Sequence, residues 1–213
     1  MAIDCTTIAR VKAHLPGTDA GSDAVLALLI SSVSARMEAE CYRWFQSTER
    51  TEVYPLRQPA RLITLKGSPV TATDSRGVSL ASFTVKASSS LSFSASPTLT
   101  RNTDYLLEHD RGVLRMLTDL DTFTGGLRTR PIAPAYVQVL YTGGLAADTT
   151  AFVAAYPDLA IACEMQVVHE FRRRTNAGAG DAQAGDSSFT HSADLALLTT
   201  VREALRPYKR RRG

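Results

Sequence analysis

Apolar residues recur at helical spacing near both ends of the chain and alternate with polar residues in the middle. Across residues 23–45 they fall at three- and four-residue steps, which predicts a long amphipathic helix. A second pattern of this kind spans residues 157–174 and opens on Pro157, a residue suited to the first turn of a helix. Shorter helices are predicted over residues 6–15 and 193–205. Helical segments therefore flank a region with a different period.

The apolar stripe of the long helix is too large to remain exposed to water. It comprises Leu26, Leu29, Ile30, Val33, Met37, Cys41 and Trp44. Burial of such side chains contributes about 1.5–3 kcal/mol each, so the stripe supplies on the order of 10–20 kcal/mol before chain entropy is subtracted. The helix must therefore dock on other elements. In the second long helix, Leu159, Cys163, Val167 and Phe171 recur every four residues and form another apolar stripe.

Between the helical regions the apolar period falls to two, which predicts β-strands. Alternating segments lie at 51–56, 61–65, 79–86 and 137–141, and residues 105–108 and 112–116 form a hairpin pattern. The order helices, strands, helices predicts an α+β fold in which an antiparallel β region is inserted in a helical bundle, with a C-terminal helix and a basic tail. The expected domains are residues 1–50, 51–141, 142–205 and 206–213.

Two segments of small and polar residues are predicted to be exposed loops. Residues 87–97 are rich in serine, and residues 176–188 contain three glycines. Between them, Arg172, Arg173 and Arg174 are predicted to occupy the last turn of their helix, where cations interact favourably with the helix dipole. These three arginines and Trp44 are candidate subunit-interface residues.

Positive charge is concentrated at the C-terminus. The net charge of the chain is +3, but residues 201–213 carry six cations and one anion, so the remaining 200 residues are slightly negative. A compact basic tail can contact nucleic acid phosphates or an acidic protein surface. The alternative is a solvated, disordered end with no partner.

The sequence offers no positive case for catalysis or for a bound cofactor. Residues 180–187 have the glycine spacing of a phosphate loop, but Asp186 replaces the lysine that phosphate binding requires. His169-Glu170 begins a zinc-protease motif, but Arg173 stands where the second histidine would be. The three cysteines are far apart and odd in number, which favours free thiols. No secretory signal or membrane-spanning run is expected.

Four ordered pieces of the chain resemble the head–tail connector (adaptor) proteins of tailed bacteriophages. They are Val11-Lys12-Ala13-His14-Leu15 with Glu40-Cys41-Tyr42-Arg43-Trp44-Phe45; Leu65-Lys66-Gly67-Ser68-Pro69-Val70; Asp104-Tyr105-Leu106-Leu107 with Gly112-Val113-Leu114; and Val139-Leu140-Tyr141-Thr142-Gly143-Gly144 with Pro157-Asp158-Leu159 and the three arginines. Each piece is short, and the match lies in their order and spacing, which cover most of the chain.

This resemblance implies a non-enzymatic virion protein of the neck, assembled in the host cytoplasm. The family forms a ring, usually of 12 subunits, that encloses the DNA passage and joins the portal protein to the next neck or tail-completion protein. Its C-terminal segment commonly engages the portal, which makes the basic end of this chain the expected portal-contacting or channel-facing element: Arg206, Tyr208, Lys209, Arg210, Arg211 and Arg212. Non-specific contact with genomic DNA is expected. No bound metal and no membrane partner are expected.

Two other functions remain open from the sequence. The first is a DNA-binding module that acts through the basic tail, and it would show a steep dependence of affinity on salt. The second is a hydrolase with a dispersed site, for which no nucleophile or general base can be identified.

Overall fold

The computed structural model describes residues 3–55, 62–70, 83–117, 136–180 and 196–210, without the side chains of residues 175–180. The chain divides into two compact units. Met1–Gln46 and Ala146–Arg210 form the helical unit, and Ser47–Leu145 form the β unit. Both contain well-packed apolar cores and the sheets are antiparallel, which confirms the predicted α+β class.

Five α-helices lie in the described part of the helical unit. They are α1 (Ile8–Ala13), α2 (Asp23–Cys41), α3 (Thr149–Ala155), α4 (Pro157–Gly180) and α5 (Thr199–Leu205), and α5 continues into a 3-10 turn at Arg206–Tyr208. Helix α4 packs against the other four helices and is the centre of this unit. Its buried side chains include Leu159, Cys163 and Val167, as the apolar period predicts.

Helix α2 ends earlier than predicted. Its last residue is Cys41, and Tyr42 takes a left-handed conformation with φ of 51° that turns the chain out of the helix. The backbone N–H of Phe45 then donates to the buried carboxylate of Glu38 at 2.7 Å. Phe45 is thereby held in the core against Phe152, with ring centroids 5.5 Å apart, whereas Trp44 is only half-buried.

The predicted bounds of the last two helices are also wrong in part. Helix α4 continues to Gly180, so residues 176–180 are helical and Arg172–Arg174 lie well before its final turn. The helix-dipole explanation for these arginines therefore fails. Helix α5 begins at Thr199 rather than near residue 193, because residues 196–198 form a non-helical approach. Residues 181–195 lie outside the described part of the chain.

In the β unit, the described residues contain six strands, which form two three-stranded antiparallel sheets. In the first sheet, β6 (Tyr136–Gly143) lies between β1 (Thr48–Pro55) and β3 (Thr84–Ser88). In the second, β5 (Val113–Met116) lies between β2 (Leu62–Thr64) and β4 (Tyr105–Glu108). Strand β6 alternates half-buried and buried residues along its whole length, since every second side chain faces the core.

One apolar core lies between the two sheets and includes Leu65, Val85, Leu114, Val139 and Tyr141. Beside it, the phenolic O–H of Tyr141 donates to Glu52 at 2.6 Å and its oxygen accepts the N–H of Gly67 at 2.7 Å. Burial, followed by the neighbouring Glu52, raises the pKa of Tyr141 far above its ordinary value, so the phenol stays a neutral donor. This bond joins the loop after β2 to the last strand.

The serine-rich loop begins later than predicted, because Ala87 and Ser88 belong to β3. Its serines bond to one another: Ser88 Oγ donates to the carbonyl of Ser92 at 2.8 Å, and the N–H of Ser90 donates to Ser88 Oγ at 3.2 Å. Such local bonds let serine stabilise a turn without a regular element. Leu91 is 68% exposed in this loop.

In the described ranges, no single helix is both long and apolar enough to cross a bilayer. Only α3 and α4 taken as a pair reach that length and composition, and they meet at a bend of 110°.

Candidate functional site

The C-terminal segment of the described chain lies against the helical unit, where α2 ends and α4 begins. The hydroxyl of Tyr208 donates to Asp158 at 2.8 Å, and its ring meets that of Tyr156 edge-on with centroids 5.9 Å apart. The ammonium group of Lys209 pairs with Glu40, and the N–H of Arg210 donates to the carbonyl of Cys41 at 3.0 Å. The chain is therefore held up to residue 210.

Burial and the hydrogen bond to Asp158 raise the pKa of Tyr208 to about 12. A phenol with this pKa remains protonated at neutral pH and keeps donating to the carboxylate. The hydrogen bond from Tyr208 to Asp158 is therefore kept over the physiological pH range.

Gln166 joins α4 to the segment that precedes α5. Its side chain is 1% exposed, and its Oε1 accepts the N–H of Leu198 at 2.8 Å while its Nε2 donates to Glu170 at 2.7 Å. The Oε1 atom of Glu170 also pairs with Nη2 of Arg36, on α2, at 2.6 Å. This chain of bonds links three helices through buried or half-buried polar groups, and it fixes where α5 begins.

Glu164 joins α4 to the N-terminal part of the chain. Its carboxylate is nearly buried and accepts from Thr6 Oγ1 at 2.7 Å, Arg10 Nε at 2.6 Å and His14 Nε2 at 3.1 Å. Burial alone would raise the pKa of Glu164, but the bonds from Arg10, Thr6 and His14 outweigh burial and lower it. The carboxylate is thus ionised at neutral pH and serves as an anchor for α1.

The predicted interface residues of α4 lie at the surface. Arg172, Arg173 and Arg174 are exposed, and Arg172 Nη2 donates to the carbonyl of His14 at 3.2 Å. Trp44 is far along the chain from them and follows the left-handed turn at Tyr42. The structure thus presents the three arginines together and places Trp44 on a different element.

The predicted portal-contacting residues fall into three groups. Arg206 is exposed, whereas Tyr208, Lys209 and the backbone of Arg210 have partners within the chain. Arg211 and Arg212 lie outside the described residues. Part of the basic end therefore makes contacts within its own subunit, at residues 208–210.

Sequence reasoning missed exposed apolar residues on two helices of the helical unit. Ile161 and Met165 lie four residues apart on α4, and they are 49% and 47% exposed. Leu28 on α2 is 71% exposed. The signal was present in the sequence, because these residues fall outside the buried stripes of their helices. Exposed apolar residues grouped at helical spacing commonly mark a contact with another protein.

The three cysteines are placed where thiols have low reactivity. All three cysteines are buried free thiols. Burial raises the pKa of Cys41 to about 12, and a hydrogen bond with Cys163, followed by burial, raises the pKa of Cys5. Thiols with raised pKa values react poorly, because the thiolate is the reactive form. Within the described ranges, no three His, Cys, Asp or Glu side chains converge to hold a metal ion.

The fold is similar over nearly the whole chain to that of solved proteins. A chain in the "Neck of native GTA particle computed with C12 symmetry" aligns with a TM-score of 0.54 and 16% identity, covering 98% of this chain and 91% of its own length. A chain in the neck of the empty GTA particle, computed with C6 symmetry, gives 0.55 and 14%, with the same coverage. A chain in the virion of the native gene transfer agent (GTA) particle gives 0.56 and 15%, covering 100% and 94%.

Comparison of the amino-acid sequence with protein families and curated proteins gives no match. No protein-family model matches the chain, and no curated protein matches it. At these identities the solved structures establish a shared fold.

Proposed function

We propose that this chain is a non-enzymatic structural protein of a phage-like particle, located in the neck. Copies of it form a closed ring, of 12 subunits, around the DNA passage, and the ring joins the portal protein to the next neck or tail-completion protein. The observation that supports this proposal is the whole-chain fold similarity to chains from necks computed with C12 and C6 symmetry. The four sequence pieces that resemble connector proteins support it independently.

The geometry of the helical unit fits a ring subunit. A closed ring of identical subunits needs two different complementary surfaces on each copy. Helix α4 packs against four other helices and is anchored through Glu164 and Gln166, so its exposed residues are held in fixed positions. Its exposed arginines and the exposed residue Arg206 supply charge for contacts with acidic surfaces or with DNA phosphates.

We assign the portal contact to the end of the chain, with Arg211 and Arg212 as its distal cations and Arg206 beside them. The bonds of Tyr208 to Asp158 and of Lys209 to Glu40 hold the residues that come just before this end of the chain. The proposed domains are residues 1–50 and 142–205, whose helices carry the ring contacts, residues 51–141 as the β lobe, and residues 206–213 as the tail.

Removing residues 211–213 is expected to abolish docking on the portal and to leave the subunit folded. This deletion spares Tyr208 and Lys209, whereas a deletion from residue 206 would also remove their bonds to the helical unit. Full-length and shortened chains are mixed with portal rings and imaged by electron microscopy, with circular dichroism as the check on folding. The matched control, Arg111→Gln, alters a highly exposed cation of the β unit and should dock normally. Docking of the shortened chain at full occupancy contradicts the tail assignment.

The second candidate function is DNA binding through the basic end, which Arg206 and the exposed arginines of α4 favour. If five phosphates were neutralised, a fourfold rise in salt would weaken binding by roughly 500-fold. We expect a shallower dependence, with a loss of roughly 150-fold or less, because Lys209 is already paired with Glu40 and at most four such contacts remain. Titration of labelled duplex DNA at several salt concentrations measures the slope. A slope near that of five phosphates, together with failure to dock on the portal, would favour the DNA-binding module.

A further inference from the structure

The exposed stripe of α4 carries two kinds of side chain in a fixed order. Ile161 and Met165 form an apolar pair, and Arg172 follows two turns later on the same face, about 10 Å beyond Met165. On α4, Glu164 and Gln166 beside this stripe are buried and bonded within the subunit. The stripe is thus rigidly held, apolar in its middle and cationic toward its later part.

A cleft of about 490 Å³ lies on another face of the helical unit, between α2 and the start of α3. Its apolar and small lining residues include Ile3, Ala35 and Ala147, and two carboxylates, Asp4 and Asp148, lie among them. Asp4 Oδ1 accepts the hydroxyl of Ser31 at 2.8 Å, and Asp148 Oδ1 accepts the N–H of Ala151 at 2.8 Å. These bonds fix both carboxylates in place, so the cleft is preorganised for a cation with an apolar stem.

The exposed side chain of Leu28 lies on α2 about 10 Å from Ala35, because two helical turns separate them. This spacing equals that between Met165 and Arg172 on α4. The α4 stripe and the α2 face therefore match in the order of their residues and in charge. When the two are aligned, Met165 lies opposite Leu28, and Arg172 lies opposite the cleft with its two carboxylates. Arginine suits such a site because its planar guanidinium binds carboxylates in a defined orientation.

We propose that the α4 stripe of one copy docks on the α2 face of a second copy of this chain, with Ile161 and Met165 packed on Leu28 and Arg172 bound in the cleft of Asp4 and Asp148. This interface deepens the proposed function, on which it rests, by naming the contact that closes the ring. Helices α2 and α4 pack against each other through their buried sides, so their exposed stripes face away from the shared core. One copy therefore cannot satisfy both surfaces by itself.

Because the two docking surfaces differ, the contact is head-to-tail and predicts a specific pattern of cross-links. The native cysteines are buried, so cysteines can be introduced at the surface without competing thiols. Under mild oxidation, a chain carrying both Met165→Cys and Leu28→Cys should give a ladder of linked multimers up to the ring. Each single variant should remain monomeric on a denaturing gel, since neither position faces its own counterpart. The reaction is run on the free protein and on rings assembled with the portal.

Charge reversal tests the second half of the contact. Arg172→Glu in the double-cysteine chain should reduce the yield of linked species at least about tenfold, because it places a third carboxylate in the acidic cleft. Arg111→Glu, on the exposed surface of the β unit, is the matched control and should leave the ladder unchanged. Circular dichroism of each variant confirms that the fold is retained.

The possible results distinguish a failure of the proposed α4–α2 interface from a failure of the proposed ring. Dimers formed by Met165→Cys alone would show a symmetric contact and overturn the proposal. A ring seen by native mass spectrometry or on the portal, with no ladder from the double variant, would also overturn it and leave the proposed function standing. A protein that forms no ring in either setting would refute the proposed function as well.

Discussion

Replacing Gly143 by alanine is expected to destabilise the β unit by about 3 kcal/mol or more. A Cβ at this position would lie 1.9 Å from the carbonyl oxygen of Gly67 and 3.0 Å from that of Pro69. Both are backbone atoms, so no side-chain rotation can relieve the overlap. The loop after β2 and the end of β6 would have to separate, and the bond between Gly67 and Tyr141 would break with them.

Thermal unfolding followed by circular dichroism should show a loss of at least about 10 °C in the transition that reports the strands. Hydrogen exchange in β1 and β6 should accelerate at the same time, because these strands pair along Thr48–Pro55 and Tyr136–Gly143. The matched control is Gly21→Ala, whose Cβ would meet only the flexible carboxylate of Asp19 at 3.3 Å. If the Gly143 variant and the wild type unfold at the same temperature, the backbone at Gly143 does not lie as close to Gly67 and Pro69 as the structure shows.

Replacing Glu164 by alanine is expected to cost about 2–3 kcal/mol of the free energy of unfolding. A fully buried ion pair that loses one partner costs about 3–5 kcal/mol, and the value is lower here because Arg10 and His14 reach solvent. The hydroxyl of Thr6, which is 1% exposed, would lose its acceptor. Urea denaturation at pH 7 measures the loss, and Glu203→Ala, at an exposed position of α5, should change stability by less than about 0.5 kcal/mol.

The same carboxylate predicts a pH dependence of stability with a definite sign. The folded protein lowers the pKa of Glu164 below its ordinary value of 4.5. A lowered pKa stabilises the fold at pH values above 4.5, and this contribution disappears as the pH falls through the lower, folded-state value. The stability difference between the wild type and Glu164→Gln should therefore be constant near neutral pH and shrink on acidification below 4.5. A difference that grows in acid would contradict the assignment.

The sequence predicted the elements whose periodicity is strong. The apolar stripes of α2 and α4, the hairpin of β4 and β5, and the alternation that ends in β6 were all found from spacing. Errors lie at element ends, where spacing carries little information. Helix α2 ends at a left-handed Tyr42 rather than at a glycine or proline, and α4 continues through small residues to Gly180 because nothing there forbids a helix.

The exposed surface of α4 could be predicted only in part. Charge alone identifies the three consecutive arginines, which lie at the surface, and the structure adds Ile161 and Met165 earlier on the same helix. The exposed apolar residues could have been identified as those that fall off the buried stripes. No sequence signal could have shown that Asp4 and Asp148, separated by most of the chain, line one cleft with Ser31 and Ala35.

The sequence by itself determined the α+β class, the two long helices and the concentration of positive charge at the end of the chain, because each depends on the period or composition of neighbouring residues. The tertiary structure alone decided that Glu164, Gln166 and Tyr208 hold distant segments together, and that the chain is anchored as far as Arg210. These contacts join residues about 30 to 170 positions apart. Whether a polar group is bonded or solvated there depends on packing that local periodicity does not encode.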